Sequence, residues 1–429
     1  MTLLRRTSTL VLGCALALSS LPALSPAPAG AAGPWSDPQV IAATSSPPAV
    51  TETADGTLVA ITLEASGEFL RSSRAPGGDW VPGGAFTDPD GRTITYVQAF
   101  RVTPDGAGWF AYRTRNSDDV SVVRWDPSGA SEQVGAISDS WTTVDMAVDA
   151  DGDVLLTYGQ RGGYPLSALY GNAVDGLAFL DVPSWTGGQR PHQWVLGPDD
   201  DVLLVSRFGR RLRAVDLRPG RDAKTTGLGR TGGHLTDQVV AAISPSGVQY
   251  AAWTTVREGK PRVVRLARRS PDGGWRPSRV VGLGGARSKP QKSLMVSTTS
   301  HGAYLAWVQP GSGGSKIRGA LVRRGKPVKG QAVAGSRAVG DLARPRLALD
   351  VAPGGRLLIA WTRVKNGDRT AAAALGRVRG KVPVTRRLFG VDGVNVPLAL
   401  LRREGQATVV GGSSATTTDG RVSLSAATD

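Results

Sequence analysis

Eight copies of one hairpin pattern run through this 429-residue chain, and they constrain its fold more than any other feature. In Thr142 to Tyr158, TTVDMAVDADGDVLLTY, an alternating strand enters an Asp-Gly turn and a second, bulkier apolar strand leaves it and ends on an aromatic. This is the signature of a β-hairpin. Reading for the turn and a landmark six residues later gives Gly56 to Thr62, Gly106 to Tyr112, Gly152 to Tyr158, Asp200 to Ser206, Gly247 to Trp253, Gly355 to Trp361 and Gly405 to Gly411. Gly302 to Trp307 is the same pattern one residue shorter. The mean spacing is about 50 residues, a period that points to a propeller or a solenoid.

Each repeat continues past its landmark. The fifth reads DQVVAAI, VQYAAW, RVVRLARR and, after the turn SPDGG, WRPSRVV. Four antiparallel strands per repeat make one propeller blade. Central runs such as VLLTY, YLAW and LLIAW are apolar without alternation, which suits sheets covered on both faces by their neighbours. The repeats span approximately 47–86, 97–137, 142–182, 190–229, 237–282, 291–335, 343–390 and 396–429. The last ends after Arg421 to Leu424 without a fourth strand, and Gly33 to Val40, GPWSDPQV, resembles the missing one. The expectation is therefore an all-β, single β-propeller of eight blades, closed by the N-terminal strand completing the C-terminal blade. Seven blades is the alternative, because Pro198 to Asp201 replaces the fourth turn and Ser206 its aromatic.

Residues 1–31 read as a signal peptide, leaving the propeller domain at 32–429. Arg5 and Arg6 form a basic start, Leu10 to Leu24 is an apolar run too short to span a bilayer, and Ala29-Gly30-Ala31 is a cleavage pattern. A secreted, extracellular, monomeric protein is expected, with lipoprotein anchoring through Cys14 as the alternative. Cys14 is the only cysteine. The mature chain then has neither disulfides nor thiolate chemistry, and no cofactor or metal is expected.

Charge is divided along the chain. Residues 1–201 hold 11 Lys and Arg against 23 Asp and Glu, whereas 202–429 hold 40 against 12. An asymmetry of this size points to a polyanionic partner for one sector.

The turn Ser270 to Trp275, SPDGGW, and its relative Ala75 to Trp80, APGGDW, resemble the Asp-box or BNR repeats of sialidase-like propellers. Ser270, Asp272, Gly274 and Trp275 match that box in type and in location between third and fourth strands, with glycine and tryptophan adjacent here. The resemblance implies the propeller fold. Sialidase activity would also require an arginine triad, a Tyr-Glu pair and an acidic acid/base. The nearest approach to the first of these is Phe100-Arg101-Val102-Thr103-Pro104, and none of Glu52, Glu64, Glu68, Glu132, Glu258 and Glu404 has a tyrosine set beside it. A non-enzymatic reading follows, with a glycoside hydrolase or lyase as the alternative.

Two surfaces are candidates for binding a glycan or anionic polymer. Interblade links and second-to-third-strand links emerge on one face of a propeller. There the links around repeat four carry Trp185, Arg190, His192, Arg230, His234 and Asp237, and Arg113, Arg161, Arg207, Arg257 and Arg363 follow second strands. An aromatic plate with a few polar groups suits a sugar. The opposite face or outer rim carries Arg268, Arg269, Arg323, Arg324, Lys326, Arg377, Arg379, Lys381, Arg402 and Arg403. A basic arc of this kind suits phosphate- or sulfate-bearing polymers. No nucleic-acid-binding motif is present. Asp149 to Asp153 departs from the spacing of a calcium loop and reads as a plain turn.

Overall fold

In the computed structural model the chain is described from Gln39 to Ala427. The exceptions are 44–47, 65–66, 116, 139–141, 150, 161–166, 185–191, 199, 231–238, 256–262, 284–293, 300–301, 310–315, 324–325, 328–330, 333–346, 353, 366–367, 379–385, 391–397, 402–406 and 418–419. The described residues form eight antiparallel sheets in chain order, a β-propeller with no helix beyond a single helical turn residue. Blade 1 comprises Ala49–Glu52, Leu58–Leu63, Phe69–Arg74 and Val81–Ala85, and blade 2 comprises Ile94–Val102, Gly108–Thr114, Val120–Trp125 and Ser131–Ile137. Blade 3 follows with Thr142–Val148, Val154–Gln160, Ser167–Asn172 and Gly176–Leu180, and blade 4 with His192–Leu196, Val202–Phe208, Arg211–Arg218 and Arg221–Arg230. Blade 5 is Val239–Ile243, Gln249–Thr255, Val263–Arg269 and Trp275–Leu283. In blade 6, Met295–Thr299, Gly302–Gln309 and Lys316–Arg323 precede a fourth strand split into Lys326–Pro327 and Gln331–Ala332, so seven sheets have four strands and this one has five. Blade 7 is Leu347–Val351, Arg356–Lys365, Asp368–Arg377 and Arg386–Gly390.

Blade 8 contains both ends of the chain. Leu398–Leu401, Ala407–Thr417 and Gly420–Ala427 are completed by Gln39–Ala43, with Gln39 opposite Ser425 and Val40 opposite Leu424. Closure by the N-terminal strand is as expected, through the described strand Gln39–Ala43, and residues 33–38 of the expected segment lie outside those described. Ile41 of this strand packs against Leu58, Ala60, Trp80 and Val410.

The core is distributed rather than central. It divides into eight clusters, each lying on the seam between two adjacent blades. The second strand of blade 1 shows why: Leu58 and Ala60 face the closing seam with blade 8, whereas Val59 and Ile61 face blade 2. Side chains alternate across a strand, so a sheet covered on both faces needs apolar residues at every position.

The turns between first and second strands repeat one geometry. In blade 2 the Thr103 amide donates to Ala107 O and the Gly106 amide to Thr103 O, with Gly106 at φ +84°. Gly56, Gly152, Gly247 and Gly355 take the same left-handed conformation. In blade 4 that position is Asp200, at φ +60°. Aspartate is one of the few side chains that tolerates this region, so the fourth repeat keeps the fold without its glycine.

Candidate functional site

Turns joining first to second and third to fourth strands lie on one face, here the turn face. The remaining links lie on the link face. Of the link-face residues singled out from the sequence, Trp185, Arg190, His234, Asp237, Arg161 and Arg257 lie outside the described residues. Of the rest, His192, Arg207 and Arg230 gather at one end of blade 4. His192 opens its innermost strand opposite Ser206, Arg207 follows Ser206 on the second strand, and Arg230 closes the outer strand opposite Arg211. Arg230 is exposed, but Arg207 is only 5% exposed and belongs to the strand rather than to the following loop. Arg113 and Arg363 are likewise half-buried strand residues, because their strands run past the landmark aromatic.

On the turn face, Arg324, Arg379, Lys381, Arg402 and Arg403 lie outside the described residues, Arg323 and Arg377 are exposed, and Arg268 is half-buried. Strand register reveals an order that residue counting missed. Arg218 stands directly opposite Arg221 in blade 4, Arg268 opposite Arg276 in blade 5, Arg323 opposite Lys326 in blade 6, and Arg356 opposite Arg377 in blade 7. Four consecutive blades thus each place two cationic residues at opposed register positions at this edge. The equivalent pair in blade 2 is Arg124 opposite Glu132, and Arg124 also meets Asp105 at 3.2 Å. Directly opposed like charges destabilise a sheet by about 0.2–1 kcal/mol per pair. Burial and the neighbouring Arg377 both push the Arg356 guanidinium pKa below its ordinary value.

Arg269 does not join this row. Its side chain turns into the seam between blades 4 and 5, where Nη1 donates to Asp216 Oδ1 and, at 3.3 Å, to Gln249 Oε1, while Nε donates to Gly273 O at 3.0 Å. Arg74 repeats the last contact, donating from Nε to Gly78 O at 2.7 Å. The turns Ala75 to Trp80 and Ser270 to Trp275 are therefore held from below by an equivalent arginine. Burial raises the pKa of Asp216, with Arg269 and Gln249 acting in opposition. Above this pair lies a cavity of about 480 Å³ rimmed by the ends of both blades.

A second cavity, of about 710 Å³, lies on the first strands of blades 1 to 3, where Val50, Phe100, Arg101, Asp145 and Asp149 contribute to its lining. Arg101 lies 3.5 Å from Asp145 across the wall and donates from Nη1 to Phe100 O at 2.8 Å. Asp149 Oδ1 accepts from the amides of Asp151 and Asp153, which makes the acidic segment a side-chain-capped turn, and burial raises its pKa. Tyr170 lies 3.0 Å from Asp153 and 2.9 Å from Asp200 and so ties the turns of blades 3 and 4 together. Among the described residues, no three His, Cys, Asp or Glu side chains come together as metal ligands.

No helix among the described residues is long and apolar enough to cross a membrane. No protein-family model matches the chain, and no curated protein matches it. Solved structures similar to it include an ulvan lyase bound to a glucuronate and sulfated rhamnose unit (11% identity, 91% of this chain and 95% of that chain, TM-score 0.45). The polysaccharide lyase Uly1 aligns at 11% identity over 78% of this chain and 90% of its own, with a TM-score of 0.44. A post-proline cleaving enzyme from Rickettsia typhi aligns at 10% identity over 86% of this chain, with a TM-score of 0.45, and this chain spans 58% of it.

Proposed function

We propose that the protein is a secreted, Asp-box-type propeller that binds an anionic cell-envelope polysaccharide on its turn face and serves as a recognition platform without catalysis. One observation carries this reading: the four successive cation pairs, Arg218–Arg221, Arg268–Arg276, Arg323–Lys326 and Arg356–Arg377. Opposed cations are unfavourable in the isolated sheet, offset in blade 4 by the ion pair of Arg218 with Asp201, and become favourable when a phosphate, sulfate or carboxylate sits between them. A row of such pairs around a rim matches a polymer with repeated negative charge. Bound counterions are released on association, so affinity falls steeply with salt.

The test is retention on dextran sulfate beads. The wild-type chain is retained at low ionic strength and eluted by moderate salt, and the triple variant Arg276→Ala, Arg323→Ala, Arg377→Ala elutes at distinctly lower salt. Equal elution of the two proteins would overturn the reading.

The cavity on the first strands of blades 1 to 3 favours a second reading, a polysaccharide-active enzyme. Asp149, whose pKa is raised by burial, lines the same wall as Arg101 and Asp145, and a carboxyl that holds its proton more tightly than usual is better suited to proton transfer. Release of reducing ends or unsaturated sugars, abolished in Asp149→Asn, would establish it. An absence of products from acidic polysaccharides leaves binding as the function.

A further inference from the structure

The link-face end of blade 4 carries a surface patch that shares no residue with the turn-face cation row. Only Gly209 and Arg210 connect the second and third strands there, with Gly209 in the left-handed conformation at φ +59°. A loop this short sets Phe208 directly opposite Arg211, and Arg211 in turn stands directly opposite Arg230 on the outer strand. Directly opposed residues share a face of a sheet, as do residues two apart on one strand, so Phe208, Arg211, Arg213 and Arg230 project from the same side of the blade. The Arg213 guanidinium lies over the Phe208 ring, 4.6 Å from its centroid, and anchors it, while 41% of Phe208 stays exposed. Arg210, Arg211 and Arg230 are also exposed, and none of the three forms an ion pair among the described residues. Arg218, at the far end of the strand that Arg211 opens, does have a carboxylate, that of Asp201.

We infer that this patch binds single-stranded nucleic acid, with one base stacked on the Phe208–Arg213 pair and the neighbouring phosphates held by Arg210, Arg211 and Arg230. Cations alone suit any anion, and an exposed ring alone suits any apolar surface. An anchored ring beside unpaired cations suits a chain that alternates planar bases with phosphates. Phe208, Arg211 and Arg230 lie across two strand spacings, about 10 Å, which is room for one base and the charges that flank it. Three cations also exceed the charge of a single phosphodiester, so a strand fits better than a lone nucleotide. In a duplex the bases are stacked on one another and closed to Phe208. The site is assembled by strand register from residues spread over 208–230, and no sequence motif marks it. The inference goes beyond the proposed polyanion binding and rests on other residues on the opposite face.

The experiment is fluorescence anisotropy of a fluorescein-labelled oligothymidylate of about 12 nucleotides, titrated with the full chain at low ionic strength. The wild type is expected to bind it, and to bind the same strand annealed to oligoadenylate about tenfold more weakly. Phe208→Leu keeps apolar bulk but loses the ring and should weaken single-strand binding about fivefold, whereas Phe208→Tyr should restore it. Arg211→Ala with Arg230→Ala should weaken it about tenfold and flatten its salt dependence. The turn-face triple variant Arg276→Ala, Arg323→Ala, Arg377→Ala should keep oligothymidylate binding while losing dextran sulfate retention, and Phe208→Leu should do the reverse. The duplex comparison uses the unaltered chain, so it decides even where a substitution disturbs folding. If duplex and single strand bind equally, if Phe208→Leu binds as the wild type does, or if the turn-face variant loses the oligonucleotide, the inference falls, whatever becomes of the cation row.

Discussion

Arg269 of blade 5 donates to Asp216 of blade 4, and this pair joins two sheets across a seam that also holds the apolar cluster around Trp253. Both side chains are less than one-fifth exposed. Removing one member leaves the other charge in a poorly solvated place, so Arg269→Ala is expected to cost about 3 kcal/mol in urea unfolding at neutral pH. The pH dependence has a definite sign. Burial already raises the Asp216 pKa above 3.8. A carboxyl with a raised native pKa holds its proton longer in the folded state, so its contribution to stability is lost as pH rises through that value. Loss of Arg269 raises the pKa further. Arg269→Ala should therefore be markedly less damaging near pH 4 than at neutral pH, while Asp216→Asn should cost less than Arg269→Ala at neutral pH. An equal, pH-independent cost for both variants would refute this account.

The Asp88 site gives the opposite sign. Asp88, in the link from blade 1 to blade 2, receives the Tyr112 hydroxyl at 2.6 Å and the Arg92 guanidinium at 3.1 Å. Burial opposes its charge, but Arg92, Tyr112 and the amides of Arg92 and Asp90 together hold its pKa below 3.8. A depressed native pKa gives stability that is complete above the unfolded value and is lost as pH falls through the native one. Tyr112→Phe removes one charge-assisted hydrogen bond, a loss of about 1.5–2 kcal/mol. It should also shift the midpoint of acid unfolding upward, measurable by tryptophan fluorescence. An unchanged midpoint would mean that the hydroxyl does not stabilise the carboxylate.

These two sites show what was legible in the sequence. Tyr112, Trp253 and Trp361 were visible as landmarks because each ends a second strand at a fixed distance from a turn, and all three are buried on seams. The degenerate fourth repeat was readable as a blade because Asp200 does the work of the missing glycine. The Arg269–Asp216 pair was not readable, since 53 residues separate its members and only the packing of neighbouring blades brings them together. The facing cations were half-legible: the turn Ser270 to Gly274 fixes Arg268 opposite Arg276, whereas Arg356 and Arg377 meet across different turns.

Ring closure rests on one short strand. Ile41 is buried on the seam between blades 8 and 1, and Ser72 Oγ donates to its carbonyl. Ile41→Ala is expected to cost about 2–4 kcal/mol by the loss of buried methyl groups. Deleting the chain through Ala43 removes the whole strand and exposes Gly420–Ala427 as an edge, which invites pairing between molecules. The truncated protein should sediment as oligomers or aggregates where the intact chain does not. A monomeric truncation with unchanged stability would show that the ring does not depend on this strand.

The cation row implies a trade between stability and binding. Arg377 faces Arg356, whose guanidinium is already pushed below its ordinary pKa by burial and by this neighbour. Arg377→Glu converts repulsion into attraction across the same strand pair, so the variant should be more stable than the wild type by about 0.5–1 kcal/mol. The same change places a carboxylate where an anionic polymer would lie, and retention on dextran sulfate should weaken by more than the loss of one cation in Arg377→Ala produces. A surface that gains stability when its binding charge is reversed is one in which function opposes folding at that position. If Arg377→Glu were instead neutral or destabilising, Arg356 and Arg377 would already be screened from each other, and the facing pairs would say nothing about a polyanion.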